Sequence, residues 1–186
     1  MAAFPKNMDK SWSLFLDRDG VINERIFGGY VQHPDDFVFL PGVPGALAVL
    51  SDYFGKIVVV TNQQGIGKGL MNVEALEAVH RKMLRGVTKA GGRIDAVFFC
   101  PDLESAGGNC RKPSPFMAFE ARKQFPEIDF SKSIMVGDAA TDMVFGRNAG
   151  MFTVLLGPEP VPHNLVDLRL PGLPAFAQEI QKNAVQ

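Results

Sequence analysis

Three aspartates, a threonine and a lysine occupy places in this sequence where they could act together on phosphorus. Asp17 and Asp138 follow apolar segments, Asp19 comes two residues after Asp17, and Thr61 and Lys112 stand near the ends of further segments. Clustered carboxylates repel one another, and a hard divalent cation such as Mg²⁺ relieves that repulsion. A carboxylate beside such a cation can attack phosphorus and divide one difficult displacement into two easier ones. These residue types therefore indicate hydrolysis of a phosphate ester.

Each of these residues has its own task in that chemistry. Asp19 lies on the same side of a locally extended chain as Asp17. It could protonate the leaving oxygen and later deprotonate water, which is worth about 10²- to 10⁴-fold in rate. Thr61 can donate to phosphoryl oxygens. At about 4 Å and an effective dielectric near 20, the charge of Lys112 is worth about 4 kcal/mol before desolvation.

The segments around these residues alternate between apolar strands and helices. Strands that are apolar on both faces and alternate with helices indicate a parallel sheet covered on both sides. Ligands bind at the carboxyl ends of the strands in such a sheet, which is where the polar residues lie. We predict strands at 13–16, 57–60, 94–99, 134–136 and 152–156, and helices at 43–54, between Asn72 and Gly91, and at 114–125, 139–148 and 175–182.

Two segments depart from this alternation. Residues 22–40 are too many for a simple turn between a strand and a helix, and we expect them to cover the site. The proline-rich stretch 158–174 is expected to pack across an edge of the sheet. Since no linker separates the segments, we predict one domain over 1–186, with a core at 13–156 and a tail at 157–186.

Composition narrows the range of partners. The chain has 186 residues, 46% of them hydrophobic and 21% charged, with a net charge of −1. A nucleic-acid ligand needs a basic track that this charge does not provide, and no apolar run approaches the ~20 residues of a membrane span. We expect a small-molecule substrate, no nucleic-acid or membrane partner, a monomer and a cytoplasmic location.

Four motifs together resemble those of the haloacid dehalogenase-like phosphatases, subfamily IIIA. They are Asp17–Val21, Thr61–Ile66, Arg111–Pro113 and Gly137-Asp138, in this order between residues 13 and 156. The resemblance implies that Asp17 is the nucleophile and Asp19 the general acid/base. It also implies Mg²⁺ on Asp17, Asp138 and the Asp19 backbone. The implied fold is a Rossmann-like three-layer α/β sandwich with sheet order 5-4-1-2-3 and no large cap domain.

Within this superfamily the sequence is most similar to the heptose bisphosphate phosphatases and the histidinol-phosphate phosphatases. The similarity includes Gly29-Tyr30-Val31 and residues 62–66. It implies removal of the C7 phosphate from D-glycero-D-manno-heptose 1,7-bisphosphate, with histidinol phosphate as the alternative. The candidate substrate-binding residues are Asn62, Gln63, Arg111 and Lys68.

One loop departs from the pattern of these relatives, many of which bind zinc through Cys-x-His and Cys-x-Cys. Here the corresponding segments are Cys100-Pro101-Asp102 and Gly108-Asn109-Cys110. Two of the four soft ligands are missing, whereas structural zinc prefers a closed tetrahedral Cys/His site. We therefore do not expect zinc, and we interpret the two cysteines as remnants.

Several roles have two interpretations at this stage. Asp142 could orient Lys112 or a metal-bound water, or simply occupy the first turn of a helix. Lys68 and Arg25 could contact the distal part of a substrate or be ordinary exposed cations. The three histidines have no visible partner, so surface or packing roles are expected for His33, His80 and His163.

Two functions of other classes compete with the enzyme. A signalling receiver also accepts a phosphoryl group on aspartate in a βα protein, but Asp19 two residues after the nucleophile serves turnover rather than storage. A non-catalytic binder would be expected to lack some of the motifs, and all four are intact.

Overall fold

The computed structural model describes residues 4–5, 8–106 and 110–184, and it is built on a parallel sheet of six strands. Every neighbouring pair of strands is parallel. The spatial order is β3-β2-β1-β4-β5-β6, so the predicted order 5-4-1-2-3 is confirmed, with a sixth strand added beside the fifth. The strands are β1 (Ser13–Leu16), β2 (Lys56–Asn62), β3 (Ala96–Cys100), β4 (Ser133–Gly137), β5 (Phe152–Leu156) and β6 (Leu168–Leu170).

Helices cover both faces of this sheet. Leu14 and Leu16 of β1 pack in one apolar cluster with three of the helices, and Phe15 between them packs in a second cluster with the other two. This alternation follows from the two-residue period of a strand and gives the three layers that the sequence predicted. The first face carries α1 (Val43–Tyr53), α2 (Val73–Lys89) and α5 (Leu173–Ala184), and the second carries α3 (Phe116–Gln124) and α4 (Ala140–Ala149).

Local sequence explains where two of these helices begin or end. The side chain of Asn72 accepts a hydrogen bond from the Ala75 amide at 2.9 Å, which caps the start of α2. Gly150 adopts a left-handed conformation with φ 85° at the end of α4, a backbone region that side chains disfavour. Both ends agree with the sequence-based prediction.

The helix predicted at 175–182 is confirmed, but the stretch before it was predicted incorrectly as irregular. It contains β6, which extends the sheet through pairs such as Val154 with Leu168, and α5 begins at Leu173. β6 has only three residues and none of them is fully buried, so it lacks the apolar run that identifies a central strand. The tail therefore completes the sheet rather than crossing its edge.

The loop before the Arg111–Pro113 motif is held by a disulfide between Cys100 and Cys110. The carboxylate of Asp102 also accepts from the Cys110 amide at 3.4 Å. The interpretation of the cysteines as remnants was therefore wrong, because they join the end of β3 to the start of the motif. Gly108 and Asn109 of the second cysteine segment lie outside the described residues.

The segment between β1 and α1 lies over the carboxyl edge of the sheet, as its length predicted. It contains a short 3₁₀ helix, Pro34–Asp36, and bridges joining Asn23 to Asp19 and Phe39. It has no large cap domain among its residues, all of which the structure describes. Within the described part of the chain, no helix combines the length and apolar character needed to cross a bilayer.

Candidate active site

The candidate site is a cavity of about 180 Å³ at the carboxyl edge of the sheet. β1 brings Asp17 to this edge, and the Asp17 amide continues the ladder by donating to the Val136 carbonyl at 3.0 Å. The sheet therefore fixes the backbone of the predicted nucleophile. The cavity is lined by Asp17, Asp19, Arg25, Ile26, Gly29, Tyr30, Val31, Thr61, Asn62, Gln63, Gln64, Arg111, Lys112, Ala139, Thr141 and Asp142.

The buried ammonium group of Lys112 links the carboxylates of this site. Its Nζ donates to Asp17 Oδ1 at 2.7 Å and to the Val60 carbonyl at 2.9 Å, and it lies 2.6 Å from Asp142 Oδ1. Three acceptors match the three hydrogens of an ammonium group. Asn62 fixes the lysine backbone, since its side chain accepts from the Lys112 amide and donates to the Lys112 carbonyl.

Burial and charge set the protonation of this pair. Burial raises the pKa of Asp17 to about 7, because desolvation penalises the carboxylate more than the Lys112 charge stabilises it. Burial by itself would lower the pKa of Lys112, but the charges of Asp142 and Asp17 outweigh it and the pKa is raised. Lys112 therefore remains a cation where it contacts Asp17.

Asp138 provides a carboxylate oxygen that has no hydrogen-bond partner among the described residues. Its Oδ1 is buried without a hydrogen bond from any described residue, while Oδ2 lies 3.3 Å from Arg25 Nη1. Burial, aided by the charge of Asp142, raises the pKa of Asp138 to about 6. An added Cβ at Gly20 would stand 2.0 Å from Asp138 Oδ2, so only glycine allows this approach.

These features fit a bound divalent cation. Carboxylate oxygens of Asp17, Asp138 and Asp142 lie within 4.8 Å of one another, and all of them are the hard ligands that Mg²⁺ prefers. A buried oxygen without a partner is unfavourable unless a ligand satisfies it. The cluster contains Asp142 in addition to Asp17 and Asp138, the two residues whose carboxylates the resemblance implied.

Asp19 is held by three side chains. Arg18 donates to both carboxylate oxygens at 2.9 Å, Asn23 donates to Oδ1 and Gln63 to Oδ2, both at 2.9 Å. Burial raises the pKa of Asp19, but the Arg18 charge and these hydrogen bonds outweigh it, so the pKa is lowered. Asp19 therefore has a fixed orientation in this structure.

Gln63 also connects Asp19 to Thr61. The same Nε2 donates to Thr61 Oγ1 at 2.8 Å, so the threonine oxygen accepts from Gln63 and its own hydrogen remains available to donate elsewhere. Thr61 and Gln63 are both buried at the wall of the cavity.

The remaining predicted substrate-binding residues differ in position. Asn62 and Arg111 line the cavity. Lys68 is outside the set of described lining residues, and its Nζ lies 5.4 Å from the centre of the Tyr30 ring, which does line the cavity. Arg25, which could have been an ordinary exposed cation, lines the cavity and pairs with Asp138.

The contact between two buried residues of this region was not predicted. Arg18 is completely buried, and its Nη1 lies 3.2 Å from Nε2 of His80 in α2. His80 was expected to have a surface or packing role because it has no visible partner in sequence. The only signal was its place beside the apolar stripe of α2, where Val79 and Met83 are also buried.

The buried histidine predicts a pH dependence of stability. Burial, with the nearby Arg18 charge, lowers the pKa of His80 to about 3. Its contribution to folding is complete above the unfolded value near 6.5 and is lost as the pH falls toward 3. Between pH 7.5 and pH 5 we expect a loss of about 2 kcal/mol in unfolding free energy from this residue.

Urea unfolding of wild type and His80→Leu at both pH values measures this loss. Protonation of Asp17 and Asp138, whose pKa values are raised, stabilises the fold over the same pH range in both proteins. The test is therefore the difference: on going from pH 7.5 to pH 5, the unfolding free energy should change more favourably in His80→Leu than in wild type, by about 2 kcal/mol. His163→Leu, at an exposed histidine, should behave as wild type. An equal change in unfolding free energy in wild type and His80→Leu would contradict the assignment of a neutral His80.

Comparison with known proteins reveals close relatives. The family model for HAD-hydrolase-like proteins matches residues 109–158. A D-glycero-alpha-D-manno-heptose-1,7-bisphosphate 7-phosphatase of Mycobacterium bovis is 40% identical over 137 residues, or 74% of this chain and 72% of the relative. A D-glycero-beta-D-manno-heptose-1,7-bisphosphate 7-phosphatase of Bordetella bronchiseptica is 36% identical over 74% of this chain and 75% of its own.

A solved structure is similar over nearly the whole chain. The D,D-heptose 1,7-bisphosphate phosphatase from B. bronchiseptica, complexed with magnesium and phosphate, superposes with a TM-score of 0.83 at 30% identity. The match covers 92% of this chain and 98% of that one. Sequence and fold thus agree on the same group of relatives.

Proposed function

Because this chain belongs to the haloacid dehalogenase-like phosphatases and is a phosphoric monoester hydrolase, we propose that it removes the C7 phosphate of D-glycero-D-manno-heptose 1,7-bisphosphate. The observation that supports this most directly is the cavity, which holds the Asp17–Lys112 pair and two further cations, Arg25 and Arg111. A bisphosphate has a second phosphate outside the reacting centre, and cations along the same cavity suit it. The names of the relatives support the same substrate.

Histidinol phosphate fits this cavity less well. It carries an ammonium group and only one phosphate, and the additional cations of the cavity would repel that ammonium. We therefore place it second among substrates, and it serves as a comparison in the assay below.

Asp17 is the proposed nucleophile. An oxygen of its carboxylate attacks phosphorus, the bond from phosphorus to the ester oxygen breaks, and a phospho-aspartate forms. Lys112 keeps Asp17 in position and counters negative charge during the attack. The hydroxyl of Thr61, whose oxygen already accepts from Gln63, donates to a phosphoryl oxygen.

Asp19 moves the protons of both half-reactions. As the acid it gives a proton to the departing ester oxygen, and as the base it then takes a proton from the attacking water. That water displaces Asp17 from phosphorus, releasing inorganic phosphate and restoring the free carboxylate.

A divalent cation, which we propose to be Mg²⁺, would be held by Asp17, Asp138 and the backbone of Asp19. When bound, it would neutralise phosphate charge and orient the group for in-line attack. Two observations support this proposal: no residue that the structure describes hydrogen-bonds to Oδ1 of Asp138, and the carboxylates lie close together. We do not expect zinc at the Cys100–Cys110 loop, because sulfurs joined in a disulfide are not available as thiolate ligands.

We also propose that the protein is a monomer of one domain and that it acts in the cytoplasm on a small molecule. We propose no nucleic-acid or membrane partner. The near-neutral net charge supports the absence of nucleic acid. The disulfide counts against the cytoplasmic location, since such bonds are uncommon in the cytoplasm.

Phosphate release from a panel of esters tests the proposed function. With Mg²⁺ present, we expect the largest kcat/KM for heptose 1,7-bisphosphate. The kcat/KM of histidinol phosphate should be at least about 10²-fold lower, because it lacks contacts to a second phosphate, and this factor corresponds to roughly 2.7 kcal/mol. Addition of EDTA should reduce release to background.

The panel separates the substrate from the mechanism. Mg²⁺-dependent release from histidinol phosphate alone would discard the heptose substrate and keep the chemistry. Equal release with and without EDTA would overturn the metal proposal, and no release from any ester would favour the receiver or the non-catalytic binder.

A further inference from the structure

Arg18 lies between the two catalytic aspartates but takes no part in the chemistry described above. Its side chain is fully buried, and an isolated guanidinium is expensive to remove from water. A buried guanidinium is tolerated only when charged or polar groups hydrogen-bond to it with good geometry. The residues that hydrogen-bond to Arg18 therefore indicate its role.

The partners of Arg18 are Asp19 and His80. Nη2 contacts both oxygens of Asp19 at 2.9 Å and Nε contacts Oδ1 at 3.3 Å, while Nη1 lies 3.2 Å from His80 Nε2. One edge of the planar guanidinium thus faces the carboxylate. The other side contacts a residue 62 positions away in the chain.

The chemistry of the two groups fixes the direction of the contact with His80. A guanidinium has donors and no acceptor, so His80 Nε2 accepts and the proton of the neutral ring lies on Nδ1. A protonated His80 would present a second cation and a second donor to Arg18. The lowered pKa of this buried histidine agrees with the neutral form.

We propose that Arg18 and His80 are positioning residues that set the orientation of the Asp19 carboxylate for its two proton transfers. This inference rests on the proposed function, since it adds the residues that aim the acid/base. The contact with His80 of α2 fixes the plane of the Arg18 guanidinium. The hydrogen bonds from Arg18 then fix the orientation of the Asp19 carboxylate. Asn23 and Gln63 hold the carboxylate from two other directions.

A leaving-group comparison distinguishes positioning from a purely structural role. The value of kcat/KM reports steps through the first irreversible one, here the loss of the leaving group. An alkoxide needs a proton in order to leave, whereas p-nitrophenolate is a stable anion and leaves without one. Misdirecting Asp19 should therefore lower kcat/KM for alkyl phosphates and spare p-nitrophenyl phosphate.

The test uses the full-length protein with Mg²⁺, p-nitrophenyl phosphate and the best alkyl phosphate of the panel. His80→Leu removes the acceptor, and His80→Gln restores one at a similar reach. We expect His80→Leu to lower kcat/KM for the alkyl phosphate by about 10- to 100-fold, as a small misplacement of a reacting group does. It should change p-nitrophenyl phosphate hydrolysis by less than about 3-fold on the same argument. His80→Gln should recover most of the loss, and His163→Leu is the matched control.

Asp19→Asn separates failure of this inference from failure of the mechanism. It should lower the alkyl phosphate value by about 10²- to 10⁴-fold and the p-nitrophenyl phosphate value far less. If Asp19→Asn shows this selectivity and His80→Leu lowers both substrates equally or neither, the positioning role is wrong. If Asp19→Asn itself lacks the selectivity, Asp19 is not the acid and the proposed mechanism fails.

Crystal structures provide a second measurement that needs no activity. In His80→Leu the Asp19 carboxylate should rotate or occupy more than one orientation, and in His80→Gln it should keep the wild-type one. An Asp19 carboxylate unchanged in His80→Leu would overturn the inference, whatever the kinetics show.

Discussion

Asp17→Asn is expected to reduce turnover by at least about 10⁴-fold, the scale found when a covalent nucleophile is removed. The amide has the size of the carboxylate but is far too weak a nucleophile to attack phosphorus. Its oxygen can still accept from Lys112, so the site should keep its geometry. Phosphate release with the preferred ester and Mg²⁺ measures the loss. Mass spectrometry of the quenched wild-type reaction should show one added phosphoryl group that the variant lacks.

The fold should survive this substitution. Burial raises the pKa of Asp17 to about 7. Above that pH the carboxylate is charged in the folded protein, and burying this charge destabilises the folded state relative to the unfolded chain. A neutral amide removes this penalty, so the melting temperature of the metal-free variant at pH 8 should equal or exceed that of wild type. Asp52→Asn, at an exposed position of α1, is the control for loss of an aspartate. Retained turnover in Asp17→Asn would rule out the phospho-aspartate mechanism.

Lys112→Met is expected to impair both stability and turnover. It leaves Asp17 and Asp142 buried without the ammonium that both contact. Breaking a buried ion pair by removing one partner costs about 3–5 kcal/mol. We therefore expect a loss of this size in unfolding free energy for the metal-free protein at pH 8. Turnover should fall by about 10²- to 10³-fold, as when one donor to a developing charge is removed.

The way in which the destabilisation by Lys112→Met changes with pH identifies its cause. Without Lys112 the Asp17 carboxylate favours protonation still more strongly, so the destabilisation should be largest at pH 8 and decrease as the pH falls through the raised pKa of Asp17. Denaturant unfolding of wild type and variant at pH 8 and pH 5.5 measures this difference, and Lys89→Met at an exposed helix position is the control. An equal loss at both pH values would mean that lost packing, and not unpaired charge, is responsible.

The residues that sequence reasoning located are those whose place follows from the sheet. Asp17 and Asp138 come at the ends of apolar strands, and parallel strands bring their carboxyl ends to one edge. Lys112 was located through its motif, although the fold brings it from 95 residues away to Asp17. The order of the five predicted strands followed from the family resemblance.

The residues that were missed depend on side-chain contacts that spacing does not encode. The pairing of Arg18 with His80 joins a strand end to the buried face of a helix, and neither residue has a local feature that indicates the other. The disulfide was missed because two cysteines ten residues apart were compared with a zinc site. β6 was missed because three half-exposed residues give too short a pattern to recognise.

The central place of β1 affects when a newly made chain can fold. Of the six described strands β1 comes earliest in the chain, and its neighbours come much later: Leu14 pairs with Ile57 on one side and with Ile134 on the other. Contacts of such long sequence separation form slowly, because a long loop must close first. On the ribosome, β1 therefore remains open along one edge until β4 has left the exit tunnel. We expect nascent chains that stop before residue 133 to depend on chaperones, because an apolar strand with an unpaired edge is prone to aggregate.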